Sequence, residues 1–155
     1  MVIIIVLFVL ISVATPSSKH VFTDKEYHVS LQYPSTWILK TAYYSPRYEG
    51  TDGFFEISAL DGEGWTIDQA AENDANHILK PFGTTPLISD FKVQGQEARI
   101  IMPSDDQPIG MKDTAELIVK SPVKIQINGD SYYFLILCAD KYHIKQIAKT
   151  VKFIY

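Results

Sequence analysis

The chain has 155 residues, of which 46% are hydrophobic and 21% are charged, proportions typical of one ordinary globular domain. Fourteen Lys and Arg residues against 18 Asp and Glu residues give a formal net charge of −4. This charge provides no general attraction for phosphate backbones, so the composition argues against nucleic acid as a partner. No repeat occurs at the periods of solenoids or propellers, which indicates a single body.

The first segment of the chain is strongly apolar. Residues 2–13 (VIIIVLFVLISV) carry no charge and are too short to span a hydrocarbon core of about 30 Å as a helix. Because Ser12 and Ala14 have the spacing that a leader peptidase requires, we predict that residues 1–14 are a signal peptide or membrane anchor. A buried first strand is the alternative, since Ile and Val favour strands. Export predicts an extracytoplasmic protein, secreted or tethered to the membrane by this N-terminal segment.

A strand with a proline stop follows. Residues 15–26 are predicted to form a linker and a first short strand. In YHVSLQYPSTW, residues 27–37, apolar and polar side chains alternate up to Pro34, which predicts a half-buried strand. Proline removes a ladder donor, so pairing is expected to stop there, and Trp37 is expected to cover the open end of the core. Further strands are predicted at residues 38–44, 54–60 and 113–119, with hairpins through Gly95-Gln96 and Asn128-Gly129.

Two segments have the apolar stripe of amphipathic helices. Residues 66–79 begin with a capping box formed by Thr66 and Gln69. Residues 141–153 follow Asp140, a favourable N-cap residue. Together these elements predict an α+β fold, a mainly antiparallel sheet of about six strands sandwiched by helices.

Two motifs resemble those of PsbP-like (Mog-like) domains. The pattern Tyr27-x-Val-x-Leu-x-Tyr33-Pro34-x-x-Trp37 is similar to their opening strand, and residues 147–153 are similar to their final helix and tail. The order of elements over residues 27–155 is compatible with such a domain. The group includes small extracytoplasmic proteins of Gram-positive bacteria, and the chain also resembles the sensor-like C-terminal region of BlaR-type membrane metallopeptidases. The resemblance implies an α-β-α sandwich used for binding, without one shared activity.

The sequence contains none of the common catalytic or metal-binding motifs that we sought. It has no Gly-x-Ser-x-Gly elbow, no Walker loop and no His-Glu-x-x-His. The four histidines lack the short spacings of a zinc site, and the acidic residues of 105–113 lack the spacing of a calcium loop. Cys138 lies in an apolar run and is predicted to be buried and inert. We therefore predict a protein that is not an enzyme and that holds no cofactor and no metal.

Two sets of residues are candidate binding sites. The first, the aromatic–arginine set, has the composition of interface anchors and comprises Trp37, Tyr43, Tyr44, Arg47, Tyr48 and Glu49. The second, the basic stripe, has helical spacing that suits anionic headgroups and comprises Lys141, Lys145, Lys149 and Lys152. For both sets a structural role is the alternative, with tyrosines packed on the sheet and lysines on the wet face of a helix.

These features predict a domain that binds an unknown protein or small-molecule partner at the cell surface, with peripheral membrane contact as a further hypothesis. Two alternatives stay open: an accessory or sensor module of a larger membrane assembly, and a hydrolase with a dispersed active site. A catalytic pocket would gather titratable groups in a cleft, whereas an interaction module would expose an aromatic patch.

Overall fold

A computed structural model describes residues 18–155 of the chain. The predicted signal peptide or anchor, and its alternative as a buried first strand, lie outside the described residues. Within residues 18–155, none of the helices has both the length and the apolar character needed to cross a membrane.

The described residues form ten strands and two α-helices. In chain order the strands are β1 (Lys19–Asp24), β2 (Val29–Pro34), β3 (Ile38–Leu39), β4 (Arg47–Glu49), β5 (Phe54–Leu60), β6 (Leu87–Val93), β7 (Gln96–Met102), β8 (Thr114–Ile127), β9 (Asp130–Asp140) and β10 (Lys152–Phe153). The helices are α1 (Ile67–Ala75) and α2 (Ile144–Ala148), and a short 3-10 helix covers Ile109–Met111.

Seven of the strands make the main sheet, in the order β3-β4-β5-β9-β8-β7-β6, and every pair in it is antiparallel. Its centre is the hairpin of β8 and β9, which turns through Asn128 and Gly129 at φ angles of 53° and 93°. Both turn positions therefore have the positive φ of a tight hairpin, and the predicted turn is confirmed. The hairpin of β6 and β7 turns through Gln94 and Gly95, one residue earlier than predicted.

A smaller antiparallel sheet, in the order β1-β2-β10, packs on one face of the main sheet. Aromatic side chains fill the space between the two sheets. The rings of Tyr48 and Phe55 are stacked with centroids 5.1 Å apart, and Phe22 and Tyr33 contact Phe55 at 5.4 and 5.1 Å. This layer contains the larger part of the buried core.

Helix α1 packs on the other face of the main sheet. Thr66 and Gln69 form the predicted capping box, which is confirmed, although the helix ends at Ala75 rather than at residue 79. The buried face of α1 meets a second apolar cluster that includes Ile101, Ile118 and Phe134. Strands β3, β4 and β5 lie on the far side of β9 from this contact, so α1 covers only part of this face.

The predicted fold class is wrong, because the structure is β-rich and not a sheet sandwiched by helices. The main reason lies in residues 141–153, where the predicted long helix is only the five residues of α2. Lys152 and Phe153 instead pair with Ser30 and Val29 of β2. Tertiary pairing thus overrides the local helical pattern, and a sheet takes the place of the expected helical layer.

Two predicted strands also differ from the observed ones. The strand expected at residues 38–44 is only the two residues of β3, whereas residues 54–60 form β5 as predicted. The strand expected at residues 113–119 continues to Ile127 as β8, with a change of register between Lys120 and Ile125. The long central hairpin therefore provides about half of the strand residues of the main sheet.

Candidate functional site

The corner after β2 is built around Trp37. Pro34 ends the strand, and the Trp37 N–H donates to the Pro34 carbonyl at 3.1 Å, which turns the chain back towards the core. The indole is 2% exposed and lies 6.3 Å from the Phe55 ring. Trp37 therefore closes the end of the core, as the proline stop predicted.

A glycine-containing turn encloses the indole. The Gly50 N–H donates to the Gly53 carbonyl at 2.9 Å, and the Trp37 Nε1–H donates to Asp52 Oδ1 at 2.7 Å. A Cβ atom at Gly50 would lie 2.4 Å from Trp37 Cδ1, and one at Gly53 would lie 2.1 Å from Asp140 Oδ2. Real Cβ atoms do not approach other atoms so closely, so this packing requires glycine at both positions.

Asp140, at the end of β9, is the central acceptor of this corner. Its side chain is almost fully buried, and it accepts hydrogen bonds from the Phe54 N–H at 3.3 Å and the Tyr142 N–H at 3.1 Å. The same carboxylate lies 2.8 Å from His143 Nδ1. It therefore joins the start of β5, the turn after β9 and the imidazole of His143.

His143 is the most firmly oriented ionisable group at this corner. Its ring stands edge-on to Trp37 with centroids 5.1 Å apart, and its Nε2 lies 3.9 Å from Asp52 Oδ2. Because the Asp140 carboxylate accepts hydrogen bonds, Nδ1–H is the donor to it. The other ring nitrogen, Nε2, faces Asp52. The arrangement presents one imidazole nitrogen beside one carboxylate.

A cavity of about 290 Å³ opens beside this pair, and we call it the Trp37 pocket after the neighbouring corner, although Trp37 itself does not line it. Its polar wall carries hydroxyl, amide, ammonium, carboxylate and imidazole groups from Ser18, Lys19, Gln32, Ser35, Thr36, Asp52, His143 and Gln146. Ser18 is held against the wall, because its carbonyl accepts from the Ser35 N–H at 3.0 Å. Within residues 18–155 no group of three His, Cys, Asp or Glu side chains is placed to hold a metal ion. The pocket is therefore suited to hydrogen bonding.

The aromatic–arginine set is divided between the two faces of the main sheet. Trp37 and Tyr48 belong to the core, whereas Arg47 and Glu49 lie on the opposite face, because side chains alternate along β4. The set does not form one patch, and its role in binding stays a prediction.

Arg47 is engaged by neighbours on that opposite face. Its guanidinium pairs with Glu49 at 3.1 Å and with Glu56 at 3.2 Å, and it lies over the rings of Phe54 and Tyr43 at 3.9 and 4.7 Å. Tyr43 is half exposed, and Tyr44 is fully exposed. Arg47 therefore already has charged and aromatic partners within the fold.

The basic stripe is also dispersed, because α2 is shorter than predicted. Lys141 precedes the helix and pairs with Asp113 at 2.8 Å, and Lys152 lies in β10. Lys145 and Lys149 are exposed at α2. Four lysines along one side of a single helix are therefore not observed, and membrane contact stays a prediction.

Cys138 lies on the face opposite the main core and is half-buried, not fully buried as predicted. The thiol donates a weak hydrogen bond to Glu116 Oε2 at 3.5 Å. Burial, and then the charge of Glu116, raises the pKa of the Cys138 thiol well above its usual value. The thiolate is the nucleophilic form, so these surroundings favour the unreactive thiol.

Comparison with known proteins shows similarity to a solved structure. No protein-family model matches the chain, and no curated protein matches it. The chain is similar to a solved PsbP structure. This is the solution structure of cyanobacterial PsbP (CyanoP) from Synechocystis sp. PCC 6803, with a TM-score of 0.44 and 12% sequence identity over 92% of this chain and 96% of that chain. No function is transferred at this level of similarity, and the resemblance to BlaR-type proteins stays a prediction.

The sequence reasoning missed His143, Asp140 and Asp52 as members of one site. The four histidines were interpreted as unrelated to one another, because only the short sequence spacings of zinc ligands were considered. The available signal was the three-residue separation of Asp140 and His143 directly after a strongly apolar strand. Asp52 carried no such signal, since only the folded turn brings it to His143.

Proposed function

We propose that the chain is a non-catalytic, extracytoplasmic binding domain whose recognition site is the Trp37 pocket. The observation that supports this most directly is the orientation of His143, which Asp140 and Trp37 hold at the wall of a cavity of about 290 Å³. A side chain held in place before binding loses little conformational entropy when a ligand arrives. The pocket is thus organised for recognition.

The pocket wall suits a polar ligand. Hydroxyl and amide groups both donate and accept hydrogen bonds, and Asp52 accepts only. A segment of a protein partner or a small molecule with several hydroxyl or amide groups matches this composition. If residues 1–14 are an uncleaved anchor, Ser18 in the pocket wall would place the site close to the membrane, as an accessory or sensor module requires.

The hydrolase alternative has one observation in its favour. Asp140 orients His143 as the third member of a catalytic triad orients its base. Within the described residues, however, no hydroxyl or thiol hydrogen-bonds to His143 Nε2, which faces the Asp52 carboxylate at 3.9 Å. An imidazole beside a carboxylate provides a binding contact without a nucleophile, so binding is the preferred proposal.

Site-specific photo-crosslinking of the full chain in its native membranes tests the proposal. A photoreactive phenylalanine at Thr36 is expected to give one discrete product that weakens when His143 is replaced by alanine. The same probe at Lys92, an exposed residue of β6 away from the pocket, serves as the control. Equal products at both positions, or a product unaffected by His143→Ala, would contradict the Trp37 pocket as the site.

Two further measurements separate the alternatives. Turnover of chromogenic esters or amides that disappears in His143→Ala would establish the hydrolase instead. Fractionation of cells that express the full chain tests the location, and an uncleaved product found only in the cytosol would contradict the extracytoplasmic assignment.

A further inference from the structure

A second cavity lies on the α1 side of the main sheet, and we call it the Glu116 cavity. It has a volume of about 210 Å³ and lies against Asp74 near the end of α1, against Phe82, and against Met111 of the 3-10 helix. Its walls are mostly apolar. The volume is below the ~300 Å³ at which sites for drug-sized ligands begin, so it suits a small ligand.

Glu116 occupies an unusual place for a carboxylate. It lies in the middle of β8 between Ile101 of β7 and Cys138 of β9, where its side chain is 5% exposed. Oε2 accepts only the weak thiol hydrogen bond, and Oε1 is buried with no hydrogen-bond partner in the part of the chain that the structure describes. A buried acceptor without a partner is costly and uncommon in native proteins. Glu116 also lines the cavity, so a ligand bound there would be placed to supply a donor to this carboxyl group.

The groups around the cavity define the chemistry of that donor. Asp74 and His77 face it from α1 and the following turn, and Thr114 and Cys138 face it from the sheet. None of the Lys and Arg residues within 18–155 lines it. Burial, then the negative charge of Asp74 and a hydrogen-bond contact with its carboxyl group, raise the pKa of Glu116 well above its usual value, so a nearby cation would restore the ionised form.

We propose that the Glu116 cavity binds a small apolar amine, whose ammonium group donates to Glu116 Oε1 beside Asp74 while its hydrocarbon body packs against Phe82 and Met111. Two carboxyl groups select the positive charge, and the apolar walls select the hydrocarbon. The proposal is independent of the Trp37 pocket, because the two cavities share no lining residue.

Three probes of equal chain length test the proposal: hexylammonium, 1-hexanol and hexanoate. In amide NMR titrations of the full chain, hexylammonium is expected to give saturable shifts around Asp74, Glu116 and Cys138. Hexanol lacks the charge-assisted hydrogen bond and is expected to bind about tenfold more weakly. Hexanoate is expected to give no saturable shift, because its charge repels both carboxyl groups.

Glu116→Gln keeps the shape of the side chain and removes its charge, so it is expected to abolish the preference for the amine over the alcohol. Glu97→Gln, at an exposed position of β7, is the matched control and is expected to bind hexylammonium as the natural chain does. Spectra without probe show whether both variants are folded. Equal binding of amine and alcohol to the natural chain, or unchanged amine binding in Glu116→Gln, overturns the proposal. The absence of saturable shifts with any probe also overturns it and leaves Oε1 to a water molecule.

Discussion

Two buried carboxylates on the central strands have opposite surroundings. Asp140 and Glu116 are 6% and 5% exposed. Asp140 accepts hydrogen bonds from two backbone N–H groups and lies against the imidazole of His143. Glu116 accepts one weak hydrogen bond from a thiol and has one oxygen without a partner. Equal burial therefore gives one carboxylate a structural role and leaves the other in need of a donor.

Position along the strands explains the difference. Asp140 ends β9, where backbone N–H groups of the following turn and of the first residue of β5 remain available outside the ladder. Glu116 lies inside β8, which pairs on both sides at this point, so the nearby backbone donors are already used. A carboxylate at a strand end can be satisfied by the backbone, whereas one in a strand interior depends on side chains or a ligand.

The largest expected loss of stability tests whether Trp37 closes the end of the core. Trp37→Ala is expected to lower the free energy of unfolding by about 4 kcal/mol, because it removes a fully buried indole and leaves a cavity. Tyr44→Ala, at a fully exposed ring, is the control and is expected to change it by less than about 0.5 kcal/mol. Urea denaturation measures both. Similar losses for the two variants would show that Trp37 does not close the core.

The next largest expected loss of stability tests Asp140, whose carboxylate has its hydrogen-bond donors in place. Asp140→Ala is expected to lower the free energy of unfolding by about 3 kcal/mol, since it leaves the Phe54 and Tyr142 N–H groups and the His143 ring without their acceptor. Asp105→Ala, at an exposed loop residue, is the control. If both variants denature at the same urea concentration, the contrast with Glu116 is lost.

A smaller effect tests the close packing around Asp140. Gly53→Ala would place a Cβ atom 2.1 Å from Asp140 Oδ2 and 2.9 Å from Trp37 Cζ2, so we expect a loss of about 2 kcal/mol from strain. Gly110→Ala introduces the same atom where no neighbour lies within 4 Å. Thermal unfolding of the pair isolates the contact, and equal melting temperatures would show that the turn adjusts freely.

The smallest expected effect is a gain of stability, and it tests the buried carboxyl group of Glu116. Glu116 has a folded pKa above its ordinary value of 4.5, so the folded chain holds this proton more tightly than the unfolded chain. The natural protein therefore loses stability as the pH rises from about 4.5 towards the folded pKa, at about 1.4 kcal/mol for each unit between the two values.

The amide side chain of Glu116→Gln does not titrate, so this variant does not lose stability at this position as the pH rises. Its free energy of unfolding is expected to exceed that of the natural chain at pH 7, and the difference is expected to shrink towards pH 4.5. Urea denaturation at a series of pH values measures the trend, with Glu97→Gln as the reference. A difference that does not vary with pH would mean that Glu116 is not held protonated.

Local sequence signals predicted the elements that depend on local interactions. The strand at residues 54–60, the Thr66–Gln69 capping box and the Asn128-Gly129 turn each involve residues close in sequence, and each is confirmed. The last helix was overestimated because its stripe, which includes Ile144 and Ile147, is real but short. Pairing of β10 with β2 then decides the conformation of the following residues, and no local pattern contains that information.

The candidate site was less predictable than the fold. The burial of Trp37 followed from the proline stop, but the pairing of His143 with Asp52 depends on a turn that forms only around the packed indole. The sequence also did not predict that Glu116 Oε1 lacks a hydrogen-bond partner among the described residues. In sequence Glu116 stands between Ala115 and Leu117 as a solvent-facing strand residue would, whereas the structure buries residues 115–119 on both faces of β8.

The smaller sheet has a consequence for the order of folding. The Gln32 N–H donates to the Thr150 hydroxyl, 118 positions away in the chain, and β10 forms one edge of that sheet. Such distant partners meet late, because the entropy of closing a long loop opposes their encounter. During synthesis, β2 must therefore wait with one edge open until residues 150–153 emerge. Until then, a chaperone that handles the nascent chain would find that edge open to pairing.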